Sequence, residues 1–309
     1  MATGSDSEIA LGDELIILED NGIMVEISPT GEIVGIKNGQ LQLLHGGGKD
    51  DSQKEGPDHI GWKRSEIIMF PVVGPVGNYK ITVGDGCSEK ERPMDQHGIS
   101  RYIPFTVSRI SKKSISLIQE YAAESPVRNG KHNDNEGKER PAIMAWPYSF
   151  SIEKDISIHH LKCHDDFGGY TGFVNIDFHV MNRSDSIMPF MLGFHPAFRT
   201  YGTEGSIIIE QGESAKDIAL DGFLGKDITS FNKNTGDIFF RNSKYHMRIH
   251  HTFGNTMVWC PKGTTEMVCI EPVTSIPSTL ENSGYRLNAP QFEFIFPDST
   301  KIYNMRIFF

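Results

Sequence analysis

The stretch ELIILEDNGIMVEISPTGEIVGIKNGQLQLL, residues 14–44, decides the fold class. Four runs in it are short and either apolar or alternating: Glu14 to Leu18, Ile23 to Ser28, Ile33 to Lys37 and Leu41 to Leu44. Three turn signals separate them, Asp20-Asn21-Gly22, Pro29-Thr30-Gly31 and Lys37-Asn38-Gly39. Alternation with period two places successive side chains on opposite faces of a strand. Asn-Gly pairs accept the positive φ that tight hairpin turns demand. The stretch therefore predicts a β-meander.

The same style continues along the chain. Tyr79 to Val83, Phe105 to Ile110, Ser114 to Gln119, Tyr148 to Glu153, Ile156 to Leu161, Phe173 to Met181 and Ile207 to Glu210 alternate. Tyr245 to His250, Met257 to Trp259, Met267 to Glu271, Phe292 to Phe296 and Lys301 to Ile307 complete the set. No run of ten or more residues carries a 3.6-residue period. About fifteen short strands with Gly, Asn and Pro punctuation imply an all-β fold, a large antiparallel sandwich or barrel. No Pro-, Gly- or Ser-rich linker divides the chain, so residues 1–309 read as one domain with residues 1–12 flexible. Residues 45–58 read as a loop. Residues 122–141 (AAESPVRNGKHNDNEGKERP) are nearly all polar and read as a mobile loop insertion.

Composition sets outer bounds. Forty acidic against thirty basic residues in 309 give a net charge of -10, which argues against nucleic acid or an anionic membrane as partner. A chain of this length buries enough surface to need no disulfide or structural metal. Cys87, Cys163, Cys260 and Cys269 form no C-x-x-C pair and read as reduced, buried thiols, which suits the cytoplasm. No apolar stretch reaches the length of a signal core or a membrane span.

Four segments set ionisable residues beside Gly, Pro and aromatics. The first is Trp62-Lys-Arg64-Ser-Glu-Ile-Ile-Met-Phe-Pro-Val-Val-Gly74, in which Arg64 is either a forked donor to ligand oxygens or half of a structural ion pair. The second is Gln96-His97-Gly98-Ile-Ser-Arg101. In the third, Met191-Leu-Gly-Phe-His195-Pro-Ala-Phe198, the proline biases His195 toward extended backbone. The fourth, Val268-Cys-Ile-Glu271-Pro, puts a carboxylate at the end of an apolar strand, where desolvation raises its pKa toward that of a usable base. Together they bring a base, two imidazoles and a guanidinium to strand ends of one scaffold. His159-His160, His164, Asp165 and Asp166 fit no metal-ligand spacing and read as a solvated strand end, and His250-His251 reads as surface. No G-x-S-x-G elbow, P-loop or dinucleotide fingerprint is present.

These segments, in this order, resemble the aldose 1-epimerases, the galactose mutarotase-like proteins. The resemblance rests on Trp62 to Gly74, His97-Gly-x-x-Arg101, Leu192-Gly-Phe-His-Pro-Ala-Phe198 and Cys269-Ile-Glu-Pro272, with Trp146-Pro-Tyr-Ser-Phe and Met181-Asn182 between them. It spans roughly residues 14–309. It implies a β-supersandwich and cofactor-free interconversion of the α and β anomers of a hexose such as galactose or glucose. Glu271 would be the base, His195 the acid and His97 a hydrogen-bonding partner. Arg64 would bind sugar hydroxyls, with Trp259 or Phe194 packing on the apolar face of the ring. With Glu271 ionised and one His protonated, each shifts the other's pKa favourably. The expected partner is a small-molecule aldose, with the protein a monomer or homodimer and no metal. Two departures bear on the sugar: Glu66 where many relatives carry a small residue, and Val273 in place of a frequent Trp. A carbohydrate-binding protein without turnover and a hexose-6-phosphate mutarotase are the alternative readings, and Arg101 and Lys63 are the residues that would meet a phosphate.

Overall fold

A computed structural model describes residues 15–46, 65–84, 89–132, 139–161, 169–227, 229–233, 236–276 and 292–309. The meander of the opening stretch is present as Ile16–Asp20, Ile23–Ile27, Ile33–Asn38 and Leu41–Gln42, paired in sequence order. Asn21 and Gly22 adopt φ of 47° and 85° at its first turn, the left-handed conformation that the Asn-Gly pair was read to supply.

Two larger antiparallel sheets make the body of the fold. The first has nine strands, in the order Ser214–Ala219, Gly205–Gln211, Ile238–Asn242, His246–His251, Thr300–Phe308, Gly172–Asn182, Phe150–His160, Ser114–Tyr121 and Thr106–Ile110. The second runs Thr229–Lys233, Asn255–Trp259, Met267–Val273, Gly193–Phe194 and Ile68–Met69, and Ala197–Arg199 also pairs with Met267–Val273. Among the described residues the only α-helix is the four-residue turn Leu220–Phe223, and no helix is long and apolar enough to cross a membrane.

Side-chain alternation explains why the sheets stack. In Gly172–Asn182, Val174, Ile176, Phe178 and Val180 are all fully buried while their neighbours are half-exposed. Facing them from the smaller sheet are Phe194 and Val268, in one continuous apolar core. Phe178 meets Phe194 with ring centroids 5.3 Å apart. A fully buried Phe contributes about 1.5–3 kcal/mol relative to an exposed one, so this inter-sheet contact is a principal tie.

The segment 122–141 departs from its reading as a mobile insertion. Val127–Arg128 pairs with Ile143–Met144, and Asn129 and Arg140 are buried. Asp95, with no exposure at all, accepts from Arg140 Nη1 at 2.8 Å and from Asn129 Nδ2 at 2.9 Å. His132 Nδ1 lies 2.7 Å from the Arg140 carbonyl oxygen. Local polarity hid these ties because the anchor, Asp95, lies some thirty residues upstream; residues 133–138 lie outside the described residues. His251 is a second correction: it is buried, with Nε2 2.9 Å from Thr256 Oγ1, while His250 is exposed beside Asp237.

Candidate active site

Strand Met267–Val273 is buried at every residue because both of its faces are covered. Val268 and Ile270 point into the inter-sheet core. Cys269 and Glu271, two residues apart, point to the other face, where Cys269 packs with Ala197, Met267 and Trp259. Strand register brings the remaining groups alongside. Ala197 and Trp259 sit opposite Cys269 on its two sides, and Met257 sits opposite Glu271. His195 falls between Gly193–Phe194 and Ala197–Arg199, its N–H bonded to the Ile67 carbonyl at 2.9 Å.

The result is a compact constellation. His195 Nε2 stands 3.2 Å from Glu271 Oε1. The His97 and His195 rings are 5.6 Å apart and the His195 and Trp259 rings 5.9 Å apart, both edge-to-face. Trp259 is half-buried, and its Nε1 donates to Asp227 Oδ1 at 3.0 Å. Two residues before His195 the strands pack too closely for a side chain: a Cβ on Gly193 would lie 2.4 Å from Met69 Cε and 3.1 Å from Val273 Cγ1. Three of the residues singled out in the sequence, His97, His195 and Glu271, thus converge, with Trp259 at their edge.

Phe194 does not join them. It is 1% exposed, alternates away from His195, and packs against Phe178 in the core. Its expected role as a sugar platform is corrected to that of an inter-sheet tie. Arg64, with Trp62 and Lys63, lies outside the described residues, as do Cys87, Cys163, His164, Asp165 and Asp166. Cys260 and Cys269 are buried free thiols. His159 stacks on Phe173 and bonds Ser157 at the surface, away from any ligand cluster.

His97 is held by its backbone. Its φ is 66°, and the following Gly98, at φ 73°, has no room for a side chain, since a Cβ would lie 2.3 Å from the Phe70 carbonyl oxygen. The Gly74 N–H donates to His97 Nδ1 at 3.1 Å. That bond makes Nδ1 an acceptor, so the neutral ring carries its proton on Nε2, 3.0 Å from the Gln96 side-chain amide. A ligand oxygen that takes the place of the Gln96 amide would accept from this Nε2–H.

Burial dominates the electrostatics. It raises the Glu271 carboxyl well above the ordinary range. Burial, and then the positive charge of Arg101, push His195 down to about 3. Burial first, then His195 and Arg101, hold His97 well below its usual value. Burial thus opposes the mutually charged His195–Glu271 pair expected from the sequence, since desolvation favours the neutral form of each group. Neither Glu271 oxygen has a hydrogen-bond partner among the described residues, and the imidazole of His195 at 3.2 Å is the neighbour that a charge there would face.

Arg101 is the residue the sequence reading undervalued. It follows Ser100, whose Oγ donates to Gln119 Oε1 at 2.6 Å, and it lies over the Tyr102 ring at 5.3 Å. Buried, it makes no hydrogen bond or ion pair among the described residues. It also borders a cavity of about 110 Å³ that Glu66 and Lys154 share. Its place four residues after His97 was the available signal.

No family model matches the sequence, and no curated protein matches it. Solved structures do resemble it. A galactose mutarotase-like protein from Lactobacillus casei superposes with a TM-score of 0.70 at 16% identity, covering 96% of this chain and 99% of that one. A galactose mutarotase related enzyme from Lactobacillus acidophilus gives 0.62 at 18% identity, with 96% and 97% covered. A galactose mutarotase-like protein from Clostridium acetobutylicum gives 0.64 at 15% identity, with 95% and 94% covered. Agreement over nearly the full length of each chain, with the strand order above, places this protein in the galactose mutarotase-like fold.

Proposed function

We propose that the protein is an aldose 1-epimerase, interconverting the α and β anomers of a hexose by acid–base ring opening. The observation that carries the reading is the contact of His195 with Glu271 at 3.2 Å. In a pyranose the anomeric hydroxyl and the ring oxygen are bonded to the same carbon, so the groups that serve them must be close neighbours. Glu271 takes the proton of the anomeric hydroxyl while the C1–O5 bond breaks, and His195 delivers a proton to O5. Rotation about C1–C2 and the reverse transfers close the ring on the other face. The proton count balances, because the pair starts and ends with one transferable proton.

Burial favours that proton on Glu271. Sugar hydroxyls donating to the two unpartnered oxygens favour the carboxylate and send the proton to His195 across the existing contact. His97, fixed as an Nε2–H donor by Gly74, steadies a sugar oxygen. Trp259 offers an apolar ring at the edge of the pocket. Each such acid or base group is worth about 10²–10⁴-fold.

The buried Arg101, without an acidic partner among the described residues, favours a second reading in which the sugar is phosphorylated. Polarimetry of freshly dissolved α-D-galactose, α-D-glucose and α-D-glucose 6-phosphate tests both. Faster mutarotation of a free sugar supports the first reading, and of the phosphate alone the second. Binding without acceleration of any of them leaves a lectin-like protein and refutes the enzyme.

A further inference from the structure

The donor set around Glu271 has a chemistry that anomer interconversion does not use. A nitrogen of His195, Cys269 Sγ and a Glu271 oxygen all lie within 4.8 Å of one another, and all three residues are buried. From these atoms we infer an inhibitory site for a thiophilic divalent cation, zinc above all. Imidazole, thiolate and carboxylate are the side-chain ligands of zinc, and three of them with an open fourth position is an established coordination pattern. Ligand atoms on one tetrahedral zinc lie roughly 3.3–3.7 Å apart. His195 Nε2 and Glu271 Oε1, at 3.2 Å, already stand that close. The three ligand atoms lie within 4.8 Å of one another, so the widest pair has about an ångström to close.

The scaffold suits the task. Cys269 and Glu271 project from the same face of one strand, and His195 comes from the chain that pairs beside it. Both Glu271 oxygens are without hydrogen-bond partners among the described residues, so the carboxylate gives up no hydrogen bond there to bind the ion. Binding releases the Cys269 thiol proton and the Glu271 carboxyl proton to solvent and leaves a Cys269–zinc and a Glu271–zinc bond. The ion then occupies the imidazole and the carboxylate together, so neither is free to move a proton.

The inhibitory part rests on the proposed function; the binding part does not. The full untagged chain, stripped of metal, is titrated with zinc by calorimetry and with cobalt(II) by absorption. One ion per chain and a sulfur-to-cobalt charge-transfer band are expected. Cys269→Ser and Glu271→Gln should each weaken binding about tenfold or more, and Cys269→Ser should erase the band. His160→Asn and His250→Asn, both at the surface, should leave affinity unchanged. Zinc should stop mutarotation by wild type at equivalence and spare Cys269→Ala. Binding that survives Cys269→Ser, a missing charge-transfer band, or affinity lost in the surface variants overturns the site. A band and stoichiometric binding in a protein that turns over no sugar would refute the function and leave the metal site standing.

Discussion

Two buried carboxylates in this molecule live in opposite circumstances. Asp95 accepts from the Gln96 N–H at 2.6 Å, from Asn129 at 2.9 Å, and from Arg140 Nη1 on both oxygens, at 2.8 and 3.0 Å. Glu271 is as deeply buried, yet neither of its oxygens has a hydrogen-bond partner among the described residues, and its nearest charged-type neighbour is a neutral imidazole. Desolvating a carboxylate is expensive, and at Asp95 the fold offsets the expense in full. At Glu271 it does not, and the unmet hydrogen-bonding capacity is left for something that enters from outside. The same side-chain class thus reads as a rivet in one place and as a reactive group in the other, and the partner list tells them apart.

The comparison can be broken most forcefully at its reactive end. Glu271→Gln should lower the mutarotation rate about 10²–10⁴-fold while the protein stays folded, measured by polarimetry and circular dichroism. The same variant tests the charge state. Burial raises the folded-state pKa of Glu271, so above the ordinary carboxylate range the folded form holds a proton that the unfolded form has released. Its contribution to stability is full at acid pH and lost as pH rises through the folded pKa. Glu271→Gln should therefore gain melting temperature relative to wild type at pH 8 but not at pH 4. His195 acts in the opposite sense. Its pKa falls from an ordinary 6.5 to about 3, so stability drains away as pH falls between those values. A melting-temperature difference independent of pH would contradict the neutral pair.

The rivet is tested next. Asp95→Ala removes the carboxylate that Arg140 and Asn129 bond and should cost about 3–5 kcal/mol in denaturant unfolding, loosening the 122–141 segment with it. Little loss would mean that the bonds around Asp95 are ornamental. The smallest expected effect separates two aromatics. Phe194→Leu should cost about 1 kcal/mol and leave KM alone, because the ring faces Phe178. Trp259→Ala should raise KM with little change in stability. A KM effect from Phe194→Leu would return that ring to the sugar.

Much of the fold was legible because the chain punctuates itself. Asn21-Gly22 and the alternation of Gly172–Asn182 carry their geometry locally, and the strands follow. The site was half legible. His195 and Glu271 each end an apolar run that the sequence displays, whereas their 3.2 Å contact depends on the register between strands some seventy-five residues apart. Alternation alone assigns Phe194 to the face opposite His195, a period-two inference available from the sequence. The pull of burial toward neutral forms was not available, since it follows from how completely the neighbours exclude water. The Asp95–Asn129–Arg140 lock was hidden for a similar reason: each member looks like loop polarity until the fold brings them together.

Gly193 sets a limit on how this protein can change. Its position between two paired strands admits no Cβ without displacing Met69 and crowding Val273, and no smaller residue exists to loosen that contact. Change around His195 and Glu271 can therefore enter through Met257 and Trp259 on the neighbouring strand, while the backbone at Gly193 stays as it is. A lineage built on this scaffold is free to vary the side chains at its edges and is held to one strand spacing at its centre.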